Sequence, residues 1–328
     1  MKDRVTIKDV AERAGVSKTT LSRYLNGEFN RMSVDTKYRI RDVIKEMDYK
    51  PNPQARGLKN KQSFLIGLVV ADILNYYSSV LIKGLQNALS NTDYQLLIMT
   101  ADNSAEEEQK VIEKLLLQNV DGIILQPTTA KIANYQSIID TETPTVLIDR
   151  LLDEKKWPTV QSNNIEITSK LMNDAADMGY KKVLHVSTPL EDISPRVERY
   201  HAVKNTAADR GMDFEFIEIE NGNQPLVDYL TQNEKTKKTV IFAANRNNLY
   251  EVIKVTTKLG LSIPDDYGVC GYDDWYLAEG IAPGITAVEQ DLEKITNYLI
   301  VELMKSMKNK KNTETIVVPA SINYRNSL

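Results

Sequence analysis

Val5 to Asn26 reads VTIKDVAERAGVSKTTLSRYLN, and this stretch decides what the N-terminal part of the chain is. Thr6 precedes an apolar set at Val10, Ala11 and Ala14, and Ser17 precedes a second at Leu21 and Leu25. A hydroxyl that accepts an orphan backbone N–H is how short helices start. Gly15 between the two sets permits a sharp turn. The pattern predicts a helix-turn-helix, with Lys18, Thr19, Ser22 and Arg23 along the start and outer face of the second helix. Such side chains hydrogen-bond base edges in a major groove. An αα-hairpin in an unrelated helical domain is the bland alternative.

Charge follows the same division. Residues 1–61 hold 15 Lys+Arg against 8 Asp+Glu, while the rest of the chain holds 26 against 37. A basic head on an acidic body suits phosphate contact confined to one end. A third helix is expected from Val34 to about Met47, capped by Ser33, with Ile40, Val43, Ile44 and Met47 inward. Residues 49–61 are polar and interrupted by Pro51 and Pro53, which reads as a linker.

At 328 residues the chain exceeds one ordinary core. From Phe64 on, apolar runs alternate with amphipathic segments. Strands are expected at Phe64–Val70, Gln95–Met99, Gly122–Leu125 and Thr145–Ile148, with helices at Val80–Leu89, Glu106–Gln118 and about Ile132–Ile139 between them. A second set has strands at Lys182–Val186, Phe214–Ile219, Val240–Ala243 and Val269–Tyr272. Its helices are Thr168–Met178, Arg196–Arg210 and Leu249–Leu259. Alternation of this kind predicts parallel sheets covered on both faces.

In such sheets ligands meet side chains just past the strand ends. Asp72, Gln126, Asp149, Arg150, Asn245, Arg246, Asp273 and Asp274 occupy those places, and Arg196 and Arg199 open a helix after the loop 189–195. Each alone reads equally as a solvated loop charge or a helix cap; together they predict a polar cleft.

An enzyme is not expected. The only histidines, His185 and His201, have no carboxylate or cysteine at metal-ligand spacing, and no Walker loop, GxGxxG, HExxH or GxSxG occurs. His185 reads as a packed, hydrogen-bonded core residue and His201 as surface. The single cysteine, Cys270, lies in an apolar run and reads as a buried hydrophobe. No cofactor or metal is implied. The N-terminus lacks an apolar signal region and no stretch is long enough for a membrane span, so a cytoplasmic protein without membrane contact is expected.

The head closely resembles that of the LacI/GalR family of bacterial transcriptional regulators. The matching runs are Val5-Thr6-Ile7-Lys8-Asp9-Val10-Ala11, Ala14-Gly15-Val16-Ser17, Ser22-Arg23 and Leu25-Asn26-Gly27. Tyr49-Lys50-Pro51-Asn52 and Ala55-Arg56-Gly57-Leu58-Lys59 continue the match. Leu21 departs from the family's usual Val, and Lys18-Thr19 stand where residues vary with operator.

The resemblance implies a helix-turn-helix head over residues 1–50, a hinge over 51–61, and a periplasmic-binding-protein-like core of two doubly wound α/β lobes. Lobe 1 would span 62–161 plus about 291–318, and lobe 2 would span 162–290 plus about 319–328. The chain would cross between lobes near Gln161-Ser162, Gln290-Asp291 and Pro319, leaving the helix Leu292–Met307 on lobe 1. No heptad segment follows, so a homodimer rather than a tetramer is expected.

By the same resemblance Thr6, Ser17, Asn26, Tyr49, Asn52, Ala55 and Leu58 join the DNA-binding set. The hinge would become helical on DNA and Leu58 would wedge into the minor groove. Gln126, Asp149, Arg199, Asn245, Asp273 and Gln290 match places where relatives touch a small effector. Tyr77 or Trp275 would form an aromatic wall.

The implied function is sequence-specific regulation, as a repressor of carbohydrate-utilisation genes acting on a palindromic operator. Two departures bear on the effector. Asn245-Arg246 replaces the usual Asn-Asp, and Asn75-Tyr76-Tyr77 replaces the usual Asn-Pro-Phe. Arg150, Arg196, Arg199 and Arg246 near one cleft favour a sugar acid or sugar phosphate, since Arg binds such groups bidentately. Asp72, Asp149, Asp273 and Asp274 offer internal counter-charge, which leaves a neutral sugar or nucleoside open. A solute-binding protein shares the core but needs a secretion signal and has no use for the basic head.

Overall fold

Thr6 starts the first helix through a reciprocal pair of bonds. Its hydroxyl accepts the Asp9 N–H at 3.4 Å, and its own N–H donates to the Asp9 carboxylate at 2.8 Å. Helix α1 spans Ile7–Arg13. Gly15 then turns the chain at φ 62°, a left-handed conformation that a side chain would strain. Helix α2 spans Lys18–Leu25, with the Ser17 hydroxyl accepting the Thr20 N–H at 3.1 Å. Helix α3, Val34–Glu46, is capped by Ser33. Val10, Ala14, Leu21 and Ile40 close a small core among the three helices.

These features belong to a computed structural model in which the chain divides into two compact units, residues 1–64 and 65–328. The structure describes residues 5–25, 27–49, 62–191, 193–220, 222–232, 236–273, 276–310 and 312–328. Asn26, Asn52, Ala55, Leu58, Asp274 and Trp275 therefore lie outside the described residues.

The second unit is built on two six-stranded sheets. The first contains β1 (Leu65–Val70), β2 (Gln95–Thr100), β3 (Gly122–Leu125), β4 (Thr145–Ile148), β5 (Thr159–Ser162) and β11 (Thr315–Val318), in the order β11-β5-β4-β3-β1-β2. All its pairings are parallel. Strand β1 is buried on both faces: Ile66, Leu68 and Val70 join one cluster, and Val69 joins the other. The first cluster includes helix α4 (Tyr76–Leu89) and helix α12 (Leu292–Met307); the second includes helix α5 (Ala105–Leu117). Helices α4 and α12 approach so closely that a Cβ on Gly84 would lie 2.8 Å from Thr296.

The second sheet contains β6 (Lys182–Ser187), β7 (Asp213–Glu218), β8 (Thr239–Ala243), β9 (Gly268–Tyr272), β10 (Thr286–Glu289) and β12 (Ser321–Asn323), in the order β12-β10-β9-β8-β6-β7. Only β12 runs antiparallel. Helices α7 (Asn164–Asp177), α8 (Ser194–Asp209), α9 (Gln224–Gln232) and α10 (Arg246–Lys258) pack around it.

The two sheets define two lobes, linked by three passages of the chain: β5 to α7, β10 to α12, and β11 to β12. The passages are tied side by side. Ala320 N–H donates to the Asn163 side chain at 2.8 Å, and the Ser162 hydroxyl donates to Gln290 at 2.7 Å.

Several sequence expectations need correction. Helices α4, α7 and α10 begin three or four residues before the expected starts, because their opening residues, YYSS, NIEI and RNN, do not continue the apolar spacing that follows. The segment at 132–140 is a 3-10 turn, Ile132–Tyr135, followed by the short helix α6, Gln136–Asp140. Strands β5, β10, β11 and β12, helix α9 and the short helix α11 (Leu277–Gly280) are not in the expected pattern.

His185 is packed but not hydrogen-bonded. It sits among Tyr200, Phe214, Phe216 and Phe242, and neither ring nitrogen has a partner. Burial pulls its pKa from 6.5 down to about 3, so it stays neutral. Cys270 is fully buried, and His201 is exposed. Among the described residues no helix is long and apolar enough to cross a membrane.

Candidate functional site

The outer face of the head carries cations without carboxylate partners. Lys18 and Thr19 are exposed at the start of α2, with Ser22 and Arg23 half-buried one turn on. Elsewhere on the head Lys8 pairs with Glu12, Arg13 with Glu46, and Arg41 with Asp42. Among the described residues Lys18 and Arg23 make no ion pair. Thr6 and Ser17 place their hydroxyls at the first turns of α1 and α2 as caps. Tyr49 is half-buried against the core of the head.

In the second unit, the carboxyl ends of the two sheets carry a matched device. Asp149 follows β4 and Asp273 follows β9, at φ 67° and 69°. That region costs a non-glycine residue about 1–3 kcal/mol, so the surroundings must impose it. Each aspartate accepts an amide from a glutamine: Gln126 Nε2 reaches Asp149 at 3.2 Å, and Gln290 Nε2 reaches Asp273 at 2.7 Å. Burial pushes the Asp273 carboxyl upward in pKa, against the pull of nearby Arg199. Gln126 also accepts the Ala71 N–H at 3.2 Å, which ties the ends of β1 and β4 together.

The arginines are held differently. Arg199 is buried; its Nε donates to Asn164 at 3.0 Å, its Nη1 to the Ala244 carbonyl at 2.7 Å, and its plane stacks 3.6 Å from the Tyr272 ring centre. Arg150, also buried, donates from Nη1 to the Pro127 carbonyl at 2.9 Å, and its Nε has no partner. Arg196 donates to the Pro189 carbonyl at 2.7 Å. Arg246 stacks on Tyr76 at 3.6 Å, and its Nη1 is buried without a partner. Burial lowers the pKa of Arg150 and Arg196, and for Arg196 the neighbouring Arg150 adds to the effect. Among the described residues none of these guanidiniums makes an ion pair with a carboxylate. Their bonds go to carbonyls and one amide oxygen instead.

The remaining expected residues fall in three places. Asn245 caps α10, accepting the Asn248 N–H at 2.9 Å. Asp72 closes a local turn through the Leu74 N–H at 2.8 Å and is not drawn into the network. Tyr77 is buried in the lobe 1 core rather than forming an open wall, and burial, with Asp149 next, raises its phenol pKa. The aromatic ring that meets a guanidinium across the cleft is Tyr76.

Sequence reasoning missed several participants. Asn164 and Glu198 form a second layer, with Asn164 Nδ2 donating to Glu198 at 2.8 Å behind Arg199. Ser187 and Thr188 leave buried hydroxyls without partners at the end of β6, and the strand-end rule used for Asp72 would have found them. Glu108, wholly buried in α5, anchors the loop below Arg150 by accepting from Thr128 and Tyr135. Among the described residues no group of His, Cys, Asp and Glu can hold a metal ion.

Residues 6–52 match the bacterial regulatory proteins of the lacI family, and residues 174–328 match a periplasmic binding protein-like domain. The chain is 33% identical to the HTH-type transcriptional regulator KdgR of Bacillus subtilis, over 98% of this chain and 97% of that one. It is 34% identical to the HTH-type transcriptional regulator PtxS of Pseudomonas putida, over 90% and 87%. The Lac repressor dimer bound to operator and the anti-inducer ONPF has the same fold, with a TM-score of 0.86, 21% identity and 99% of both chains covered. A complex of the transcriptional regulator CelR with cellobiose gives a TM-score of 0.70 at 23% identity, over 99% of this chain and 100% of that one.

Proposed function

The chain belongs to the LacI family of DNA-binding transcriptional regulators, and from that premise we propose that it represses carbohydrate-related genes under the control of an anionic, sugar-like effector. The effector is a sugar acid or a sugar phosphate, held between the two lobes. The observation that carries this is the state of the arginines. Arg150 Nε and Arg246 Nη1 are buried N–H groups without partners, and the cleft guanidiniums have no carboxylate in ion-pair contact among the described residues. A buried unpaired donor is costly, and a carboxylate or phosphate satisfies it with a charge-assisted bond. That the scaffold accommodates sugars is supported by fold neighbours solved with cellobiose and with D-xylulofuranose.

The head supplies the other half. The start of α2 enters a major groove, and a two-fold dimer pairs two such helices on a palindromic operator. Leu58 of the hinge wedges into the minor groove between the half-sites. Lobe movement on effector binding changes how the paired hinges meet DNA.

A thermal-shift screen of hexonates, ketodeoxy sugar acids and sugar phosphates against their neutral counterparts tests the effector. The anionic members are expected to raise the melting temperature by binding the folded state. Shifts by neutral sugars or nucleosides alone would reject the anionic class. Gel shifts with genomic fragments adjoining the gene test the regulator: a solute-binding protein retards none of them.

A further inference from the structure

Tyr76 and Arg246 meet from opposite lobes. Tyr76 is the first residue of α4 in lobe 1, and Arg246 is the first residue of α10 in lobe 2. The guanidinium carbon lies 3.6 Å from the ring centre, a stacking distance at which the negative face of the ring attracts the cation. Each residue is fixed from behind. Asn75 accepts the Tyr77 N–H at 3.1 Å and caps α4; Asn245 caps α10. The main-chain N–H of Arg246 donates to the Asp273 carboxylate. The contact therefore reports the relative position of two helix starts, and through them of two lobes.

The face of this guanidinium is covered by Tyr76, but one edge is not used. Nη1 is buried and has no partner. A second bond between the lobes, from the Leu151 N–H to the Ser194 hydroxyl at 2.9 Å, is neutral and makes no demand on an anion.

We propose that Tyr76 and Arg246 form a clamp across the cleft. It draws the lobes together in the free protein and offers the Nη1 edge to the effector's carboxylate or phosphate. Anion recognition and lobe spacing are then set by one side chain. Linkage follows: if an anion on Nη1 fixes the guanidinium plane and favours the closed lobes, then removing the ring must weaken the anion by the same factor. The anion half of this rests on the effector class proposed above; the closure half does not.

The test uses the full chain with spin labels at Lys114→Cys in lobe 1 and Lys258→Cys in lobe 2, both exposed positions. Native Cys270 is buried, and burial pushes its thiol pKa up, so it does not take the label. Labelled protein is diluted into unlabelled protein so that distances within one chain are read. Without ligand, Tyr76→Ala should lengthen and broaden the interlobe distance, and Tyr76→Phe, which keeps the ring face, should restore it. An unchanged distribution in a folded Tyr76→Ala overturns the clamp whatever the effector is.

The probes for the anion half are D-gluconate and D-galacturonate, with D-glucose and D-galactose as neutral matches. Tyr76→Ala should weaken binding of a responding anion about ten-fold. Undiminished affinity overturns the coupling. If neither anion shifts the melting of the parent protein, the anion half fails together with the effector class, and the distance measurement still decides closure.

Discussion

The recognition face and the cleft both present arginine without a carboxylate partner, yet they do so in different solvents. Arg23 lies half-buried on α2 among exposed polar residues, where water already satisfies much of its charge. Arg199 and Arg150 lie buried at the ends of the sheets, where carbonyls and one amide oxygen take the place of water. A solvated cation acts at long range, is screened by salt and tolerates many partners. A desolvated one acts only at contact and must be satisfied. On the function proposed above, arginine serves DNA attraction at one end of the chain and selection of a small ligand at the other.

Salt should separate the two regions most. With several phosphate contacts per dimer, operator affinity should fall about a thousand-fold between low and near-physiological ionic strength. The melting shift from an anionic effector should change far less over the same range, because buried charges are poorly screened. Titrations by fluorescence anisotropy and thermal shift in one salt series compare them directly. Parallel losses would mean that the cleft arginines are solvated in solution.

Arg199→Leu comes next. It leaves the Asn164 amide oxygen and the Ala244 carbonyl without their donor and removes the stack on Tyr272. A loss of about 3 kcal/mol in urea unfolding is expected. Stability unchanged within error would show that these bonds are replaced by water.

Arg23→Ala is the same kind of substitution in the other region, and its effect should appear in DNA binding instead. A bidentate base contact contributes about 1–3 kcal/mol of discrimination, so operator affinity should fall while affinity for random DNA and urea stability hold. Equal losses on operator and random sequence would place Arg23 on phosphate.

His185 shows the cost of a buried cation from a third direction. Its pKa is lowered from 6.5 to about 3, so as pH falls the unfolded chain takes up the proton first. Stability is therefore lost from pH 6.5 down to about 3, approaching about 1.4 kcal/mol per unit. His185→Leu should remove that part of the decline. Buried acids with raised pKa values, such as Asp273 and Glu198, act in the opposite sense, so the difference between variant and parent is the quantity to read. Identical pH slopes for the two would show that His185 reaches water.

The smallest effect is in the head, where Thr6→Ala removes the cap of α1. A loss of about 1 kcal/mol is expected, seen as fraying in hydrogen exchange at the α1 amides and absent from the amides of the two lobes. Loss of protection in the lobes would join the two units energetically.

The sequence by itself determined the elements whose physics is local. Thr6, Ser17 and Ser33 each cap the helix that follows, and Gly15 turns where a left-handed residue is needed. The β1, β3 and β4 runs are apolar because both faces of a parallel sheet are buried, so their pattern is continuous and readable. The strand-end rule brought Gln126, Asp149, Arg150, Asn245 and Asp273 to the right ends of the right strands, since strand direction fixes which loops share an edge.

Tertiary structure alone decided the rest. Helices α4, α7 and α10 start a turn early, with Asn75, Asn163 and Asn245 at their caps, because packing extends each helix past the point where its apolar spacing stops. Strand β5 is only four residues, TVQS, and acquires its identity from lying between β4 and β11, the latter more than a hundred residues away in the chain. That Arg246 stacks on Tyr76, that Arg199 is satisfied by a carbonyl, and that His185 lacks any partner depend on which side chains the two sheets bring within a few ångströms. Periodicity carries no information on such pairings, because contacts between distant segments are set by how the lobes pack and not by any residue's neighbours in the chain.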